Sequence, residues 1–253
     1  GGIVKINGSQ IGLWDNASIN VSSPNGGGTV LIGSQQTNRS YIAPNVEISA
    51  NAIANGNGGR VILQADQITG FYGTISARGG TISGNGGFIE VSAKENLIFR
   101  GNVDTSAVNG FPGTLLLDPR DIIIASGAGD QTVDDLDSLS QLTDGGTTTI
   151  YESTLEQLSG NTNIVLEATN DILLEDLADD SLDLASGIGA VVFTADADRD
   201  GVGNFVMADT VSDTIRTHGR SIAISGANLT IGNIDTSIPQ VADAGQRSEE
   251  RRV

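Results

Sequence analysis

Gly58-Gly59-Arg60-Val61-Ile62-Leu63 joins a small-residue corner to a strand of alternating apolar side chains, and 28 residues later the chain repeats it as Gly86-Gly87-Phe88-Ile89-Glu90-Val91. Upstream stand Gly27-Gly28-Thr29-Val30-Leu31-Ile32 and Gly1-Gly2-Ile3-Val4-Lys5-Ile6, and downstream stands Pro112-Gly113-Thr114-Leu115-Leu116-Leu117. These openings lie 26 to 31 residues apart. Each unit holds a second phrase: Ile19-Asn20-Val21-Ser22, Val46-Glu47-Ile48-Ser49, Ile75-Ser76-Ala77 and Val103-Asp104-Thr105-Ser106, echoed later by Ile234-Asp235-Thr236-Ser237. Period-two alternation rich in β-branched residues describes a ribbon with one buried face. A unit this small cannot bury that face alone, whereas stacking it on the next unit makes a continuous core and pairs every strand. The expected fold is therefore all-β, a parallel β-helix. The glycine pairs are expected to supply positive φ angles at its corners. A β-sandwich would need hairpin signals roughly every 8–12 residues, and the glycine-punctuated period is too long for that.

Composition narrows the function classes. Aromatics at 4 % suit a narrow core of Val, Ile, Leu and Ala. The balance of 31 acidic against 13 basic residues gives a net charge of −18. Such a surface repels phosphate backbones and anionic membranes, so no nucleic-acid partner is expected, while cations are attracted. The longest apolar runs, Leu115-Leu116-Leu117 and Ala190-Val191-Val192-Phe193, are too short to span a bilayer, so no membrane insertion is expected either. The absence of cysteine rules out disulfides and thiolate metal sites.

Four segments are expected: β-helix repeats over 1–125, an insertion over 126–163, further repeats over 164–240 and a tail over 241–253. In the insertion, Thr132-Val133-Asp134-Asp135 and Ser153-Thr154-Leu155-Glu156 have capping-box spacing, with Leu136, Leu139 and Leu142 on one helical face behind the first. Two short helices flanking a strand at Thr147–Tyr151 are predicted within about 132–160, as an insertion or a cap on the stack. Strands resume at Asn163–Ala168, Asp171–Leu174, Gly189–Thr194, Ser221–Ser225 and Asn228–Ile231. The start at Gly1-Gly2-Ile3-Val4, without methionine or signal peptide, is read as a lost N-terminus. The dense charge run Arg247–Val253 reads like a translated sequencing adapter and is set aside from fold reasoning.

Several phrases carry a family likeness. Gly28-Thr29-Val30-Leu31-Ile32-Gly33, Phe71-Tyr72-Gly73-Thr74-Ile75-Ser76-Ala77-Arg78-Gly79-Gly80 and Gly113-Thr114-Leu115-Leu116-Leu117-Asp118-Pro119-Arg120-Asp121-Ile122 resemble filamentous-haemagglutinin-like exoproteins. Glu152-Ser153-Thr154-Leu155-Glu156-Gln157-Leu158-Ser159-Gly160 and Ala195-Asp196-Ala197-Asp198-Arg199-Asp200-Gly201-Val202-Gly203 look similar to the same group. The resemblance implies a right-handed parallel β-helix in a two-partner secretion system. It implies export through a dedicated outer-membrane pore transporter of a Gram-negative bacterium. A secreted or cell-surface location follows, with roles in adhesion, aggregation or competition through host or neighbouring-cell glycans or proteins. On that basis the chain is expected to be a non-enzymatic shaft.

Candidate chemistry is sparse. Asp196-x-Asp198-x-Asp200-Gly201 offers three carboxylates at alternate positions, with the Val202 carbonyl and Asn204 as further calcium ligands. The bidentate Glu of an EF-hand is replaced by Met207. A β-helical polysaccharide-degrading enzyme is the other alternative, and it would need clustered carboxylates. Asp134, Asp135 and Asp137 fall on a predicted helix, and Glu175, Asp176, Asp179 and Asp180 in a polar loop. His218 could serve catalysis only if carboxylates from neighbouring coils reached it. Trp14, Tyr41, Phe71 and Tyr72 could stack on sugars, although scattered aromatics more often fill a core.

Overall fold

The computed structural model describes residues 1–128, Leu139, Leu142 and 146–238. The chain winds as a parallel β-solenoid of eight coils. Its first side is one sheet of Ile3–Ile6, Thr29–Ile32, Arg60–Ala65, Phe88–Ala93, Thr114–Asp118, Asn163–Glu167, Val191–Thr194 and Ile222–Ser225, stacked in that order. The registers Ile3↔Thr29, Thr29↔Arg60, Arg60↔Phe88 and Phe88↔Thr114 coincide with the repeat read from the sequence. Alternation points every second side chain inward. Val30, Val61, Ile89, Leu115, Ile164 and Val191 thus form one buried column along the axis, and Ile32, Leu63, Val91, Leu117, Leu166 and Phe193 form another. Burying each such side chain contributes about 1.5–3 kcal/mol, which only stacking makes available.

A second side goes beyond the two strands per unit expected from sequence. Gln10–Leu13, Arg39–Ile42, Ile68–Phe71 and Asn96–Phe99 form their own parallel sheet. Arg39–Ile42 and Ile68–Phe71 do not alternate, because their outer face is covered as well: Ser40, Tyr41 and Ile42, and all four of Ile68–Phe71, are buried. Tyr41 packs against Trp14 and Tyr72 at ring distances of 4.5 and 5.6 Å, and a Leu142 methyl sits over Gly70. These aromatics are packing groups. The third side carries the second phrase of each unit, with Ile48, Ile75 and Val103 stacked and buried.

The insertion interrupts the middle of the stack. Ile122–Ala125 precedes Thr148–Tyr151 in the chain but lies beyond it in space. Thr148–Tyr151 pairs with Ile122–Ala125, and the Leu97 N–H donates to Thr148 Oγ1 at 2.9 Å, so the chain doubles back one layer. The expected strand is present. The predicted helix at 132–142 lies outside the described residues apart from Leu139 and Leu142. These two reach the second side, where the Leu139 carbonyl accepts from Arg39 Nη1 at 3.1 Å. The second helix is Glu152–Glu156, but its N-cap is Tyr151, and no side chain caps it. The capping-box reading of Ser153 is therefore corrected: the extended strand runs directly into the first turn. At that level the helix takes the place of a third-side strand, and Glu156 Oε1 accepts from the Asp183 N–H at 2.8 Å.

The role of the glycine pairs is also corrected. Gly27, Gly28, Gly58 and Gly59 do not have positive φ; the left-handed glycines are others, such as Gly26, Gly56 and Gly84. The pairs are required because backbones touch. A Cβ on Gly59 would lie 2.1 Å from the Gly28 carbonyl oxygen, and one on Gly27 would lie 1.9 Å from that of Ala50. Past the insertion the same corner is held differently. The buried Arg220 guanidinium donates to the carbonyls of Gly189 (2.7 Å), Ala185 (3.2 Å) and Thr162 (2.9 Å), and burial holds its pKa below the usual value.

Candidate functional site

The Asp196–Asn204 corner joins Val191–Thr194 to Asn204–Met207. Left-handed Asp196, Arg199 and Gly201 coil it tightly, bringing the carboxylates of Asp196, Asp198 and Asp200 within 4.8 Å of one another. Asp196 Oδ1 accepts from the Gly201 N–H at 3.1 Å, and Asp200 Oδ1 from the Val202 N–H at 2.7 Å. Val202 is in the same loop and exposed. Asn204 is directed elsewhere: its Nδ2 donates to Asp171 Oδ1 at 3.0 Å, and its Oδ1 accepts from Asn228 at 2.8 Å. The structure thus gathers three of the five expected ligand residues around their carboxylates and places the Asn204 side chain in an axial ladder. Met207 is buried, and Asp209 turns onto the N–H groups of Ser212 and Val211, which in that order hold its pKa low.

A second acidic group had no signal of its own in the sequence. Asp118 ends its strand on the outward phase, in register with Ser92, which is itself in register with Gln64; Glu167 follows the partner of Leu117 on the next coil. These residues line or adjoin a cleft of about 450 Å³ with Asp66, Glu90, Lys94 and Arg120. Burial, then Glu167, then Glu90 push the Asp118 carboxyl up to about 6. Lys94 pairs with Asp66 at 3.6 Å and Arg60 with Glu90 at 3.8 Å, while Ser92 Oγ donates to Glu90 at 3.2 Å. A carboxyl that keeps its proton beside an ionised neighbour can act as an acid. Only the alignment of coils, not any local motif, brings these groups together.

His218 meets the condition set for it in part. Its Nε2 contacts Asp183 Oδ1 from the preceding coil. Asp183, Arg216 and Asp235 stand in register, giving a charge ladder of alternating sign beside the imidazole. The Ser237 hydroxyl and N–H, followed by Arg216 and His218, hold Asp235 low. Arg216 Nη1 donates to Ser181 Oγ at 2.9 Å. Hydrogen bonds and charge pairs account for this group as a tie between coils. Glu175, Asp176, Asp179 and Asp180 are exposed, and Asp134, Asp135 and Asp137 lie outside the described residues.

No protein-family model and no curated protein matches this chain. The parallel β-solenoid is what geometry establishes, and that architecture accommodates both enzymes and non-enzymes. Among the described residues no helix is long and apolar enough to cross a membrane.

Proposed function

We propose that the chain is a non-enzymatic shaft segment of a secreted, surface-exposed bacterial adhesin, exported through an outer-membrane pore transporter. The observation that carries this reading is the axial use of polar side chains. Asn51 Nδ2 donates to Ser76, Asn57 Oδ1 accepts from the Asn85 N–H, Asn85 Oδ1 accepts from the Phe111 N–H, and Asn228 donates to Asn204. Groups that would otherwise face a ligand bind the next coil instead, so the surface serves extension. Eight coils at a strand spacing of about 4.8 Å give roughly 34 Å of stiff rod. The adhesin role and the pore partner come from the phrase resemblance, together with a cysteine-free chain suited to threading. The test is protease shaving of intact cells that carry the gene, with and without the pore gene. Loss of the chain from shaved cells, and its retention inside pore-deleted cells, is expected. A chain that stays inside cells with the pore intact overturns the reading.

A calcium-stabilised module is the second reading, favoured by the convergence of Asp196, Asp198 and Asp200. It requires a rise in Tm with calcium that exceeds the rise at matched ionic strength and disappears in Asp198→Asn. Equal shifts in calcium and sodium mean screening alone. Glycan cleavage would centre on Asp118 and Glu167, and the shaft reading expects no release of reducing ends from polysaccharides.

A further inference from the structure

Over most of the stack, adjacent coils are joined by three parallel ladders. Arg60–Ala65 and Phe88–Ala93 pair over six residues on the first side, and their coils pair over four on the second and three on the third. Past the insertion the corresponding runs are four, three and three, through Val191–Thr194, Asn204–Met207 and Thr214–Arg216. At the insertion two of the three ladders stop. Asn96–Phe99 ends one second-side sheet, and Thr148–Tyr151 begins another. Asn102–Asp104 ends one third-side sheet and Ser181–Asp183 begins another, with Glu152–Glu156 in the place of a strand. A helix directs its backbone hydrogen bonds along its own axis, so it extends neither ladder. Only the first side runs through. Thr114–Asp118 pairs with Phe88–Ala93 on one edge and with Asn163–Glu167 on the other, and among the described residues it is the one strand that bridges this level.

We propose that this level is a joint: the chain up to Asp104 and the chain from Ile122 are two cooperative units, and the second opens while the first stays folded. In a stacked fold, cooperativity comes from the interface that each coil makes with the next. A level with one ladder in place of three therefore couples its two sides least. Side-chain ties stand where the ladders stop. The Leu97 N–H donates to Thr148 Oγ1 at 2.9 Å, and the Thr105 and Thr162 hydroxyls meet at 3.1 Å. From the insertion, the Leu139 carbonyl reaches Arg39 and a Leu142 methyl reaches Gly70. The buried column through Leu117 and Leu166 also crosses the level, so the units stay docked while both are folded. Chain path agrees with the division. Each unit is one unbroken stretch of sequence, and the chain passes from one to the other once, through Thr114–Asp118. The first unit is the more secure, because its third side has four strands against three and an outer apolar layer covers Arg39–Ile42 and Ile68–Phe71.

Hydrogen exchange of the whole chain under native conditions and in rising urea, read peptide by peptide by mass spectrometry, tests the joint. Protection is expected in two classes, with the change of class between Asp104 and Ile122. Arg220→Ala is expected to speed exchange in the second unit by about a hundredfold or more, and in the first by less than about threefold. If that variant leaves the second unit open outright, the first should keep its protection. Phe205→Leu, a milder change in the second unit, should act in the same direction. Val61→Ala, in the first unit, should speed exchange there and leave the second unit's rates within about threefold of wild type. A single class of protection that responds as a whole to variants in either unit, or a change of class at any other level, overturns the proposal.

Discussion

Gly59 and Gly2 occupy equivalent corners of different coils, yet their surroundings make them opposite as residues. A methyl on Gly59 would collide with backbone that cannot move without separating two coils, whereas a methyl on Gly2 meets nothing within 4 Å. Gly59→Ala is expected to cost about 3 kcal/mol or more and Gly2→Ala to stay within about 0.5 kcal/mol, read from urea denaturation. The sequence displayed these glycines as punctuation, and the position of the corners followed from it. Their physical reason did not, because steric contact across coils has no local signature. Arg220 is the same lesson in a polar form. Thr217-His218-Gly219-Arg220 reads as an ordinary turn, yet the arginine reaches three carbonyls on neighbouring coils. Arg220→Ala leaves those carbonyls unpaired beside a cavity and should destabilise by about 3–5 kcal/mol. Arg220→Lys, which lacks the planar fork, should recover less than half of that. Full recovery by lysine would mean that charge alone, rather than the fork, holds the corner.

Whole strands were legible where one face is wet and illegible where both are dry. Thr29–Ile32 and Arg60–Ala65 alternate between buried and partly exposed positions, and period two reveals them. Arg39–Ile42 and Ile68–Phe71 lie between the core and an outer apolar layer, so alternation is lost and these strands of the second side were missed, whereas past the insertion Ile172–Leu174 and Asn228–Thr230 fall within strands expected from the sequence. That outer layer includes Leu142, from a segment whose sequence suggested only a helix face. Leu142→Ala should cost about 2–3 kcal/mol by opening space above Gly70. It should also shift the fluorescence of Trp14, the only tryptophan, which packs against Tyr41 in the same layer. A variant that loses stability with unchanged emission would place Leu142 apart from that layer. The candidate calcium loop was legible because its carboxylates are close in sequence. The Asp118 group was not, because Glu90, Asp118 and Glu167 belong to three different coils.

At the scale of the molecule, the acidic surface makes stability depend on pH in a direction that Asp118 discloses. In the folded chain burial and its two glutamate neighbours keep this carboxyl protonated up to about pH 6, whereas its ordinary value is 3.8. Between those values the folded state binds more protons than the unfolded state, so this contribution to stability grows as pH falls from 6 towards 4. It is lost as pH rises through 6, where an ionised Asp118 must sit beside Glu167 and Glu90. With its partial exposure discounted, the effect is on the order of 1–2 kcal/mol. Glu156 and Asp213 are pushed in the same direction by burial, so the wild-type profile alone cannot isolate one group. Comparison with Asp118→Asn does. The variant should be more stable than wild type at pH 7.5, equal to it near pH 4, and flatter in between, as read from denaturation midpoints at matched ionic strength. A constant difference across that range would mean that Asp118 contributes through packing rather than charge. The carboxylates of successive coils would then be far enough apart, or wet enough, for a solenoid of net charge −18 to stack without storing repulsion between its layers.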